Sequence, residues 1–165
     1  MADTVEFKIE GLESLLGKLD EISYDVKRRG GRSSLRKAAR VIVAKAKEGA
    51  QKIDDPGTPA NIAANITERW SSRRFKTTGD LMFRVGVMGG AGGKAKSSQY
   101  ENLPGKDTRH WRFLEFGTEK MQAQPFMRSA LADNISEITG TFVTEYEKAI
   151  DRAIKRAKKK AAQGA

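Results

Sequence analysis

Residues 109–131 read RHWRFLEFGTEKMQAQPFMRSAL, and this stretch decides the fold. Trp111, Phe113, Leu114 and Phe116 fall within a few residues of one another, Gly117 interrupts them, and a polar loop leads to Gln124-Pro125-Phe126-Met127 and Leu131. Apolar side chains on both faces of 111–116 predict a strand covered from both sides. Gly117 predicts a turn. Pro125 predicts a helix start, because the first helical position needs no N–H. From there Met127, Leu131, Ile135, Ile138, Phe142, Tyr146, Ala149, Ala153 and Ala157 recur in steps of three and four, which predicts one helix from about 125 to 158. Glu115 stands out inside the apolar run. The expectation is that it points to the sheet edge, pairs with Arg84 or Arg112, or serves a subunit interface.

The chain upstream supplies the rest of the fold. Val5, Phe7 and Ile9 alternate with Glu6 and Lys8, as in a half-buried strand. Leu12, Leu15, Leu16, Leu19, Ile22 and Val26 predict an amphipathic helix over 12–28. Gly30-Gly31 then predicts a break, followed by a second helix capped by Ser33 or Ser34, with Leu35, Ala38, Ala39, Ile42, Ala46 and Ile53 inward. Asp54-Asp55-Pro56-Gly57-Thr58-Pro59 is turn chemistry. A short helix near 59–65 is expected to run into a strand over 66–76. Leu81, Phe83, Val85 and Val87 alternate with Met82, Arg84, Gly86 and Met88, so 80–88 is the clearest strand and should pair with it as a hairpin. Residues 89–108 are rich in Gly, Ser and Lys and predict a flexible loop, and about 159–165 predict a basic, frayed tail. The expectation is a single α+β domain over 1–165. It has a small antiparallel sheet packed by two N-terminal helices and one long C-terminal helix.

Lys and Arg number 31 against 21 Asp and Glu, a formal charge of +10, which predicts attraction to polyanions. Between Lys27 and Lys52 the chain carries ten Lys or Arg and one acid, Glu48. Arg32, Arg36, Lys37 and Arg40, with Lys155, Arg156, Lys158, Lys159 and Lys160 near the other end, are the candidates to face DNA or an acidic partner. The bland alternative is a solvated helix face.

Enzyme chemistry finds little support. There is no cysteine and one histidine, His110, so a zinc site has no ligand set. A triad from Asp107, His110 and Ser97 or Ser98 would come from one glycine-rich loop without a nucleophile elbow. Gly89, Gly90, Gly92 and Gly93 lack the Lys-Ser/Thr spacing of a phosphate loop. The expectation is a protein without catalytic residues, cofactor or metal. MADTVEFKIEGL has no apolar core of a secretory signal, and no run approaches the roughly 18 apolar residues of a membrane span. A cytoplasm-like compartment, or an assembly formed there, is expected, with no membrane partner.

Phe113-Leu114-Glu115-Phe116-Gly117-Thr118, followed by Gln124-Pro125-Phe126-Met127-Arg128-Ser129-Ala130-Leu131, resembles the small tail-completion, or head–tail joining, proteins of long-tailed lambda-like bacteriophages. TGDLMFRVGV at 78–87 and EFKIEGL at 6–12 share the resemblance. It implies a minor tail protein of the virion neck, made in the host cytoplasm. Such a protein completes the tail and promotes its joining to the DNA-filled head through ring-forming contacts. The implied partners are other tail and neck proteins, further copies of the chain in a homo-oligomeric ring, and non-specifically the packaged DNA. Trp111, Phe113, Glu115, Phe116, Gly117, Pro125 and Phe126 would be its structural and docking framework. The alternative is a basic nucleic-acid-binding module. Against it, the aromatic residues are not interleaved with Lys and Arg as in stacking platforms.

Overall fold

The computed structural model describes residues 24–55, 57–89 and 100–163. The strand expected at 5–9 and the expected helix up to residue 23 lie outside them. α1, Tyr24–Ile53, runs uninterrupted through Gly30-Gly31, which corrects the expected break. A Cβ on Gly30 would sit 3.2 Å from the Tyr146 ring, and one on Gly31 would sit 2.9 Å from Leu81 Cδ1. The glycines therefore serve close packing. That packing outweighs a helix-propensity cost of about 1 kcal/mol each.

α6, Ile135–Gln163, lies antiparallel along α1. Lys45 reaches Glu137, Lys37 reaches Glu145, and the Tyr146 hydroxyl donates to Lys27 O at 2.9 Å. Val143 and Ile150 are buried between the helices with Phe142, Tyr146 and Ile154 around them. The basic end, expected to fray from 159, stays helical to Gln163. The expected single helix from 125 is divided into α5, Met127–Ala132, and α6. Asn134 makes the division: its side-chain amide donates to Ala130 O at 3.2 Å while its own carbonyl accepts from Ile138 N at 3.0 Å. The expected inner stripe is accordingly displaced, and Leu131 is exposed.

Asn61 caps the short α2, Ile62–Asn65, by accepting from Ala64 N at 2.8 Å. α2 leads directly into β1, Ile66–Trp70, which pairs antiparallel with β2, Phe83–Val87, in the register Ile66↔Val87 to Trp70↔Phe83. The expected hairpin is present with shorter strands, since residues expected to extend the first strand form α3, Ser72–Thr78. Strand alternation turns Ile66, Glu68 and Trp70 toward α1 and leaves Thr67, Arg69, Arg84 and Gly86 on the opposite face. The main core joins Ala46 and Ala50 of α1, Ile62 and Ala63 of α2 and Ile66 of β1 to Phe126 and Ala130. The α+β class, the antiparallel sheet and the long C-terminal helix match expectation.

Two corrections fall downstream of β2. Residues 90–99 lie outside the described set, but from 100 onward the expected flexible loop is packed, with Tyr100 and Thr108 buried. Asn65, 0% exposed, holds it: Nδ2 donates to Lys106 O at 2.9 Å and Thr108 Oγ1 at 2.8 Å, and Oδ1 accepts from Gly105 N at 2.8 Å. The strand expected at 111–116 is instead a helix, α4, Trp111–Phe116. Trp111, Leu114 and Glu115 turn inward at helical spacing, and a run this short cannot be assigned by periodicity. Asn65→Ala would orphan the buried Thr108 hydroxyl and Gly105 N–H and the part-buried Lys106 carbonyl, so we expect urea denaturation to show a loss of about 2–3 kcal/mol, with faster proteolysis at 100–108.

Candidate docking site

α4 begins where Trp111 N donates to Thr108 O at 3.0 Å and ends at Gly117, whose N–H donates to Phe113 O at 2.8 Å. Gly117 has φ 75°, and a Cβ there would lie 2.9 Å from both Met121 O and Ala123 N, so only glycine fits this exit. The chain then turns through a Thr118–Met121 bridge and returns, with Gln124 N donating to Leu114 O at 2.7 Å. That return delivers residues 126–128 to Glu115.

Glu115 is 1% exposed. Its Oε2 accepts from Phe126 N at 2.8 Å and Met127 N at 2.9 Å, and its Oε1 from Arg128 N at 3.0 Å and Arg128 Nε at 3.1 Å. Arg128 Nη2 also donates to Glu115 O at 2.6 Å. The carboxylate thus satisfies the donors that open α5 and is neutralised by Arg128, as a buried charge requires. The expected partners Arg84 and Arg112 and the expected sheet edge are corrected by this geometry. Sequence could have suggested the cap, because Q-P-F marks a helix start that supplies no side-chain cap of its own.

The clamp fixes which side chains face out. Trp111 packs edge-on to Phe126 at 6.4 Å, and its Nε1 has no hydrogen-bond partner among the described residues. Phe126 is buried, while Pro125, just ahead of α5, is exposed. Phe113 and Phe116 are 58% and 63% exposed on the outer face of α4, where Arg128 lies 5.2 Å from the Phe116 ring. Two large aromatics exposed one helical turn apart are features of an interaction surface.

The basic candidates are arranged differently from the sequence expectation. Arg36 Nε and Arg40 Nε both donate to Glu68 Oε1, at 3.1 and 3.3 Å, Lys37 pairs with Glu145, and Arg32 lies 4.2 Å from the Trp70 ring. The chain's own acids and aromatic ring engage all four. Lys155, Arg156, Lys158, Lys159 and Lys160 are exposed on α6, with Arg156 sharing a cleft with Arg29 and Arg152. Glu68 was missed by sequence reading, though its place between Ile66 and Trp70 on the inward face signals it. Burial pushes the Glu68 carboxyl up, but hydrogen bonds from its own backbone, Arg36 and Arg40 outweigh this and hold it below its ordinary value.

Asp54 accepts from Ile62 N at 2.9 Å and Asp55 from Gly57 N at 2.8 Å, so both hold the turn. Asp107 is bound by Arg109 Nε at 2.9 Å, and His110 is exposed at the start of α4. Among the described residues no group of three His, Asp or Glu side chains is placed to hold a metal, and no helix is long and apolar enough to cross a membrane.

The architecture is that of a small α+β protein presenting an aromatic face on α4, which the Glu115 clamp joins to α5. The profile of the family described as "Bacteriophage HK97-gp10, putative tail-component" matches residues 13–117, and the chain belongs to this family. No curated protein and no solved structure gave a significant match. The matched span includes the hairpin and α4 and ends at Gly117, before the residues that the Glu115 clamp gathers.

Glu115→Ala should cost about 3 kcal/mol in urea denaturation, by stripping the donors at the start of α5 of their acceptor, and Glu115→Gln a comparable amount, since either amide orientation turns its NH2 toward two N–H donors. Carboxylates with folded pKa below the unfolded value stabilise the native state above that unfolded value, and the stabilisation is lost as pH falls through the folded one. The depressed Glu68 and Glu145 therefore predict a melting temperature that declines as pH is lowered below the ordinary carboxylate range, a decline shallower in Glu68→Gln.

Proposed function

We propose that this phage tail component is a tail-completion, head–tail joining protein of a long-tailed phage. It acts in the virion neck as a structural element, through contacts between its own copies in a ring and with neighbouring tail and neck proteins. Family membership supports the tail assignment. The observation that carries the finer reading is the outward pair Phe113 and Phe116, exposed beside the buried clamp of Glu115. An aromatic face set on a helix braced against the core suits docking, because little side-chain or backbone freedom is lost when a partner covers it.

On this reading Trp111, Glu115, Gly117 and Phe126 are the support, Phe113 and Phe116 the contact, and Pro125 the exposed entry to α5. Phages carrying Phe113→Asp/Phe116→Asp should accumulate separate heads and tails by electron microscopy, with titre reduced to that of a strain lacking the protein. The purified variant should keep the wild-type far-UV circular dichroism and melting temperature. Normal titre from the double variant would refute the docking role.

A further inference from the structure

The outer face of the hairpin carries a charge arrangement that the fold does not explain. Arg69 on β1 lies directly opposite Arg84 on β2, and both are exposed. Like charges opposed across a ladder are destabilising. Neither arginine has an acid partner among the described residues. The same face holds Thr67 and Gly86, both half-buried, and a Cβ on Gly86 would meet nothing within 4 Å, so open space adjoins the ribbon there among the described residues.

Beside it lies a cleft of about 610 Å³ whose lining includes Trp70, Ser72, Arg73, Arg74, Thr77 and Arg84. Residues 66–87 contain four Arg and one Lys against two acids, Glu68 and Asp80. Both acids are already committed, Glu68 to Arg36 and Arg40 and Asp80 to Arg74 at 3.0 Å. Arg69, Arg73 and Arg84 therefore form a donor-rich patch without a counter-charge among the described residues.

From this arrangement we infer that the outer face of β1–β2 binds the phosphate backbone of duplex DNA, with Arg69 and Arg84 converging on one phosphate and Arg73 reaching a neighbouring one. Guanidinium forks match phosphate oxygens in pairs. Cross-strand side chains start about 5 Å apart at Cβ, close enough for both to reach a single phosphate. An anion between them also relieves their mutual repulsion. Arg36, Lys37 and Arg40, which the sequence favoured, are less suited because Glu68 and Glu145 already face them. Phosphate contacts carry no base preference, so binding should be sequence-independent and salt-sensitive. This inference does not depend on the head–tail joining reading.

The test is fluorescence anisotropy of the full chain with a labelled duplex of about 20 base pairs, from about 50 to 200 mM salt. The triple variant Arg69→Gln/Arg73→Gln/Arg84→Gln is compared with Lys47→Gln/Lys52→Gln/Lys120→Gln, which removes the same charge elsewhere. The hairpin variant should bind at least about tenfold more weakly, with a salt slope shallower by about 0.9 for each phosphate it no longer neutralises. Its melting temperature should hold or rise, since a repulsive pair is removed. The control should stay close to wild type. Equal weakening in both variants would show that net charge alone is responsible and overturn the assignment. So would absence of DNA binding by the wild-type chain, or displacement of DNA by polyglutamate at equal charge concentration.

Discussion

The carboxylate of Glu115 accepts from three successive backbone N–H groups eleven to thirteen residues further along the chain, and the C-terminal part of the fold depends on that contact. An isolated buried carboxylate is very costly, and an uncapped helix start leaves donors unsatisfied. Each problem is solved by the other. Bringing α5 onto the end of α4 places Phe126 against Trp111 and into the core with Ala46 and Ala50 of α1. The route between the two helices requires Gly117, because no side chain fits beside Met121 O and Ala123 N. Burying Glu115 inward also turns Phe113 and Phe116 outward, so the same contact sets both stability and surface.

α1 is the second organising element. One side meets α6 and the other meets β1 and the small core. Its glycines and alanines, Gly30, Gly31, Ala46 and Ala50, let these neighbours approach closely. Its cations are partly spent inside the molecule, on Glu68 and Glu145. Positive charge along a sequence is thus a poor guide to where an anionic partner would sit. What matters is which cations remain after internal pairing, and among the described residues Arg69, Arg73 and Arg84, on and beside the hairpin's outer face, are such cations.

Membership of the phage tail family stands beside a surface on which α4 exposes the aromatic pair Phe113 and Phe116. Asp54 and Asp55 are occupied in the turn after α1, and Asp107 by Arg109. The exposed aromatic pair and the paired arginines remain. They belong to different elements, α4 and the hairpin, so one chain can present two independent surfaces.

The sequence by itself determined the α+β class, the antiparallel pairing of the two strands though not the helix between them, helical character over most of 24–53 and the long C-terminal helix. In each, local periodicity and burial point the same way, as at Phe83, Val85 and Val87. It also marked Glu115 as unusual. Only the tertiary structure decided that 111–116 is helical, since the run is too short for its period to discriminate and its hydrogen bonds depend on Thr108 and His110 preceding it. It also decided that Gly30-Gly31 is a packing contact, because the reason lies in Tyr146 and Leu81, far away in sequence. Residues 100–108 looked mobile by composition, yet they are held by Asn65, forty residues or more upstream. Composition and period report local preference. Which donor finds which acceptor across the chain is fixed only when the core closes.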